Sequence, residues 1–137
     1  MKAITRRSDS GTFTQQVEIR QHKVPVDDPT DHGGDDTAPS PQELLAASLA
    51  SCTAVTMEMY AKRKGWDVEG VEVDCEYEPA SKGQTTAFTL VLRFPSELAP
   101  EQIERLSQIA AKCPVHRTLE GEVSFEQRTE LAESKVP

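Results

Sequence analysis

The sequence predicts an α+β fold in which antiparallel sheets surround a long buried central helix, in the order β-β-β-α-β-β-α-β. Three observations carry this. Residues 44–59 form an apolar run without Gly, Pro, Lys or Arg and with one acid, Glu58. Period-two alternation flanks that run on both sides. A second, shorter helical pattern lies near the C-terminus. Strands grouped before and after a helix, rather than alternating singly with helices, favour antiparallel sheets with a helix over one face.

The elements follow in order. Residues 2–25 read as short antiparallel strands. In 12–20, Phe13, Gln15, Val17 and Ile19 alternate with Thr12, Thr14, Gln16 and Glu18, after a turn at Ser10-Gly11. Residues 27–37 (DDPTDHGGDDT) read as an ordered polar loop, and Gly33-Gly34, lacking a phosphate-loop lysine, as a turn within it. Ser40 as N-cap, Pro41 at the first helical position and Glu43 three residues after the cap form a capping box. Lys62, Arg63 and Lys64 suit the last turn of the central helix, and Gly65 ends it. A helix apolar nearly all round belongs in a core.

After Gly65 the period changes to two. Val71, Val73, Cys75 and Tyr77 face inward, and a turn at residues 81–83 leads to Phe88, Leu90, Leu92 and Phe94. Pro100 and Glu101 open a second helix with Ile103, Leu106, Ile109, Ala110 and Cys113 on its apolar face, closed by Pro114. A short turn or helical piece at 115–119, a break at Gly121 and a final strand at 122–128 complete the pattern. Residues 1–137 read as a single domain, with a flexible polar tail at about 130–137.

Composition narrows the function. The net charge of −8 and the pI of about 4.9 disfavour nucleic acid and anionic membrane as partners. No signal-type segment starts the chain and no run is read as membrane-spanning, so a soluble, cytoplasmic protein is expected. Hydrophobic content of 36% is low for a chain that must hide so apolar a helix, which favours an oligomer. Three cysteines without a signal peptide fit reactive or metal-binding thiols in a reducing compartment.

Cys52, at the centre of the first helix, and Cys113, at the end of the second, both project from apolar faces. Free buried cysteine also packs as a small hydrophobe, and Cys75 reads that way. A thiol becomes nucleophilic when its thiolate is stabilised. Mid-helix Cys52 needs a cation from elsewhere, and Arg20, His22, His116 and Arg117 are the candidates. Cys113, read at a helix C-terminus where the dipole raises a thiol pKa, is the better resolving thiol. Glu43 lies nine residues before Cys52, about 180° round the helix and about 14 Å along it, so it acts as a cap. Cys113-Pro-Val-His116 has metal-like spacing, but no CxxC or HxxxH pair supports it, and no metal is assigned.

Residues 40–47 (SPQELLAA) leading to Ser51-Cys52-Thr53-Ala54 resemble the first cysteine helix of the OsmC/Ohr family (osmotically inducible protein C / organic hydroperoxide resistance). Residues 59–66 (MYAKRKGW) and 112–119 (KCPVHRTL) resemble its OsmC-like branch, and the likeness runs from about His22 to Phe125. The resemblance implies an intertwined homodimer enclosing two central helices. It also implies thiol-dependent reduction of organic or lipid hydroperoxides in oxidative-stress defence, with no cofactor beyond an external dithiol reductant. By carry-over Cys52 matches the peroxide-attacking cysteine and Cys113 the resolving one. Leu45, Leu49, Val55 and Met59, with Leu44, would line the substrate pocket. The family's activating arginine has Arg20 as its nearest counterpart, with His116 and Arg117 as further candidates. The glutamate that peroxidase members place ten residues before the first cysteine is Gln42 here. A non-catalytic, small-molecule-binding dimer is the alternative.

Overall fold

A computed structural model describes residues 1–132. Its organising element is the helix α1, Pro41–Lys64. The capping box forms as the sequence requires: Ser40 Oγ accepts the Glu43 N–H at 3.1 Å, and Glu43 Oε1 accepts the Ser40 N–H at 3.0 Å. Those bonds hold the Glu43 carboxyl below its ordinary pKa. Gly65, at φ 71°, takes the left-handed conformation that closes the helix.

Two antiparallel sheets flank this helix in sequence. The first contains β1 (Ile4–Arg7), β2 (Gln15–Ile19) and β3 (His22–Val26) in spatial order β1-β2-β3. The second is the hairpin of β4 (Glu72–Glu78) and β5 (Ala87–Arg93), with Val73 opposite Leu92 and Cys75 opposite Leu90. Two further helices follow, α2 (Pro100–Ala110) and α3 (Pro114–Glu120). The α+β class and the order of elements through the second helix are as the sequence implies.

The core lies between α1, α2 and the β4–β5 hairpin. Met57, Ala61 and Leu106 are fully buried there with Ala110 and Leu98, and Val73, Leu92, Trp66 and Ile103 pack around them. Leu49, Thr53, Met57 and Ala61 are the buried positions of α1, a row at i+4 spacing. The opposite side of the helix is open in a single chain, with Val55 and Met59 at 51% and 64% exposure. By length and composition α1 reaches what a membrane span needs, contrary to the expectation that no run does. Its buried row, Leu49, Thr53, Met57 and Ala61, packs on protein.

The loop between β3 and α1 is ordered around Asp27. This buried carboxylate accepts the Thr37 N–H at 3.0 Å, the Thr37 hydroxyl at 2.7 Å and the Asp28 N–H at 2.8 Å. These donors hold its pKa below the ordinary carboxylate value. Gly34 is required there by proximity, since a Cβ would stand 2.0 Å from the Asp28 carbonyl oxygen.

Two expectations are corrected. Residues 122–128 alternate but form no strand: they are exposed, with Phe125 at 93%, because a strand needs a partner edge and among the described residues none pairs with this segment. Cys113 does not end a helix. The second helix stops at Ala110, and Cys113 is the N-cap of α3 with Pro114 at the first helical position. Proline suits that position because it gives up no needed N–H, so Pro114 opens a helix rather than closing one. Of the expected tail, residues 130–132 are exposed and irregular, and 133–137 lie outside the described residues.

Candidate active site

The antiparallel run of α2 along α1 brings the loop after α2 over the middle of α1, and with it Cys113 over Cys52. Both thiols are free, Cys52 half-buried and Cys113 fully buried, and the two are neighbours close enough for Cys113 to act on the Cys52 pKa. The first turn of α3 serves both sulfurs. The Val115 N–H points at Cys52, and the His116 N–H donates to Cys113 Sγ at 3.3 Å. Thr53 Oγ1 approaches Cys113 Sγ at 3.9 Å, and the Thr56 hydroxyl donates to the Cys52 carbonyl oxygen at 2.7 Å. A mid-helix thiol thus meets the first turn of another helix through the Val115 N–H, and Cys113 caps a helix N-terminus instead of ending a helix.

The balance at Cys52 still favours the thiol. Burial pushes its pKa up, and the Cys113 thiol adds to this, while the Val115 N–H and the Thr56 hydroxyl oppose it. Cys52 opens onto a cleft of about 880 Å³. One wall is a single stripe of α1: Cys52, Val55, Thr56, Met59, Lys62 and Arg63. Ile109, Lys112 and Pro114 make the other.

The residues singled out from sequence are divided among three clefts. Val55 and Met59 share the cleft of Cys52. Leu45 and Leu49 line a different one, of about 500 Å³, with Phe88, Leu90 and His116. The His116 ring reaches it with Nε2 2.7 Å from Glu120 Oε1 and with Nδ1 buried and, among the described residues, unpartnered. Gln42 and Glu43 line a third, of about 790 Å³, together with Cys75, whose thiol burial pushes up. Glu43 and Cys52 therefore open onto different sides of α1, as their helical phase requires. Arg20 occupies the exposed turn between β2 and β3 at φ 55°, and Arg117 is exposed on α3. Neither they nor His116 line the Cys52 cleft within one chain.

Among the described residues, Lys62, Arg63 and Lys112 are the cations that do line it. Lys62 and Arg63 read from sequence only as partners of the helix dipole. Their spacing from Cys52, ten and eleven residues on the same helical face, was the available signal.

Fold and site together define a class: an α+β domain carrying a two-thiol centre between a central helix and the capped start of a short one. The OsmC-like protein family model matches residues 33–128, and the chain belongs to that family. Among solved structures, it resembles a protein assigned to the osmotic stress and detoxification response from Psychrobacter arcticus 273-4. That likeness has a TM-score of 0.72 at 24% identity over 83% of this chain and 85% of that one. An OsmC-like protein from Mycoplasma pneumoniae gives a TM-score of 0.72 at 17% identity, covering 88% and 86%. The organic hydroperoxide resistance protein OhrB of Bacillus subtilis gives 0.61 at 21% identity, covering 88% and 90%. No curated protein matches the chain by sequence.

Proposed function

We propose that the protein is a thiol peroxidase that reduces organic hydroperoxides, working as a cytoplasmic homodimer. The observation that carries this reading is the placement of two free thiols as neighbours, with Thr53, the residue after Cys52, 3.9 Å from Cys113 Sγ: one thiol opens onto an apolar cleft and the other is fully buried. The Cys52 thiolate attacks the distal peroxide oxygen. The O–O bond breaks, its electron pair leaves on the alkoxide, and a proton completes the alcohol. Cys52 is left as a sulfenic acid. The Cys113 sulfur then displaces that hydroxyl, forming the Cys52–Cys113 disulfide and releasing water. An external dithiol returns two electrons and two protons to reopen it. The burial of Cys113 suits a resolving role, since bulk peroxide cannot reach it before Cys52 has reacted.

A homodimer is supported by two features of the single chain: the open apolar side of α1 and the unpaired alternating segment 122–128. The alternative, a non-catalytic binding dimer, is favoured by one observation. Burial raises the Cys52 pKa, and no cation is among the groups that shift it.

Mass spectrometry after one equivalent of cumene hydroperoxide separates the readings. A Cys52–Cys113 disulfide in the wild type, and a sulfenic or sulfinic Cys52 in Cys113→Ser, are expected; untouched thiols would overturn the proposal. Because the thiol pKa is raised, the oxidation rate should climb steadily from about pH 6 to about pH 9. A rate flat over that range would mean that the thiolate is already formed at neutral pH.

A further inference from the structure

We propose that Thr53 holds the Cys113 proton for the resolving step, and so decides whether oxidised Cys52 closes to a disulfide or is oxidised again. This rests on the peroxidase reading and adds to it what regulates the fate of the sulfenic acid. Thr53 is the one polar member of the buried row of α1, at 0% exposure among Leu49, Met57 and Ala61. Valine would fill nearly the same shape without the cost of taking a hydroxyl out of water. Nor does a threonine hydroxyl bonded to the carbonyl four residues back strengthen a helix. Packing alone gives no reason for the oxygen.

The protons around it supply one. A hydroxyl has one proton to donate and two lone pairs that accept. Thr53 gives its proton to the Leu49 carbonyl oxygen at 2.8 Å. Across the 3.9 Å to Cys113 Sγ the shared proton is therefore the thiol's, and Thr53 Oγ1 accepts it. Cys113 Sγ in turn accepts the His116 N–H at 3.3 Å. The sulfur is thus held between one group from α1 and one from α3, with its proton turned toward Thr53.

Cys113 is also at 0% exposure, so bulk water does not reach its proton when the sulfur attacks. In that step the S–S bond forms, the S–O bond of the Cys52 sulfenic acid breaks, and its electron pair leaves on hydroxide. Thr53 Oγ1 takes the thiol proton and releases its own to the departing hydroxide. Water leaves, and no charge is stranded in the buried site, where it would be costly. Without the hydroxyl this closure slows. The sulfenic acid then persists, and a second peroxide carries it to sulfinic acid.

The test uses the full chain and its variants Thr53→Val, Thr53→Ser and Thr53→Ala. Wild type against Thr53→Val, and Thr53→Ser against Thr53→Ala, each compare a hydroxyl with its loss. Mass spectrometry after excess cumene hydroperoxide reads sulfinic Cys52 against the Cys52–Cys113 disulfide. That ratio should rise about tenfold in the hydroxyl-free member of each pair, the upper worth of one hydrogen bond. Should one variant fail to fold, the other pair decides alone. Equal ratios within the pairs overturn the proposal. A ratio that rises in Thr53→Ser and Thr53→Ala together, following the lost methyl, overturns it too and assigns Thr53 to packing. Diamide, which oxidises a thiol pair to a disulfide without peroxide, separates this from the peroxidase reading. If the wild type leaves cumene hydroperoxide unreduced but diamide closes the disulfide, about tenfold more slowly in Thr53→Val, the peroxidase reading fails while the role of Thr53 stands. Closure at one rate in all four proteins removes that role.

Discussion

The two antiparallel sheets share one sequence pattern and have opposite fates. In the β4–β5 hairpin the inward residues Val73 and Leu92 join the core over α1, while Glu72 and Asp74 face water beside Arg93. In β1–β3, where β2 and β3 also alternate in sequence, Val26 is the one buried strand residue, and Ile4 and Ile19 remain 37% and 39% exposed. Alternation states which face of a strand is apolar; it does not state what covers that face. The chain spends the buried row of α1 on the second sheet and on α2. The first sheet, the far side of α1 and residues 122–128 are left without cover, and the proposed second copy would supply it.

The largest effect should come from breaking the covered side. Leu106 is fully buried between α1 and the hairpin. Leu106→Ala should cost about 2–5 kcal/mol, the range for a buried leucine that leaves a cavity. Urea unfolding would show it as a lower midpoint with little change in slope. A loss below about 1 kcal/mol would mean that the covered side is packed as loosely as the open one.

A smaller effect, with a pH signature, is expected where the first sheet joins α1. Asp27 is ionised more readily in the fold than in the unfolded chain, because Thr37 and Asp28 donate to its carboxylate. Its contribution is therefore present above the ordinary carboxylate pKa and is lost as pH falls through the lowered folded value. Asp27→Asn should lower the thermal midpoint at neutral pH, and the gap from wild type should close below about pH 4. A gap independent of pH would assign the loss to packing instead of charge.

How far the sequence could be read follows the same divide. What is set by neighbours along the chain was legible: the capping box of Ser40 and Glu43, the stop at Gly65, the inward faces of the β4–β5 hairpin, and the phase that parts Glu43 from Cys52. What depends on distant partners was not. The pattern of 122–128 is a strand pattern, but pairing needs an edge that no local rule provides. Pro114 ends one helical pattern and starts another, and sequence alone favoured the ending. That choice put Cys113 at the wrong end of a helix. The thiol pair itself was legible as two inward-facing cysteines, whereas the Val115 and His116 N–H groups that serve them carry no side-chain signature. The cations of the cleft were legible as residues but were absorbed by the helix dipole.

The smallest effect should come from the outer faces, where the two sheets ought to behave alike. Arg6 Nη1 lies 2.8 Å from Glu18 Oε2 across the first sheet, and Arg93 Nη1 lies 2.6 Å from Asp74 Oδ2 across the second. Both pairs are at least one-third exposed on each partner, so water screens them whatever the inner face is doing. Arg6→Ala should cost at most about 1 kcal/mol, and less at high salt. Arg93→Ala should shift the midpoint as little, even though its strand is anchored to the core. If the two substitutions differ as strongly as the inner faces do, cover alone does not separate the sheets, and the strand ladders themselves differ in strength. If they agree, the difference between the sheets lies wholly in what packs against their apolar sides.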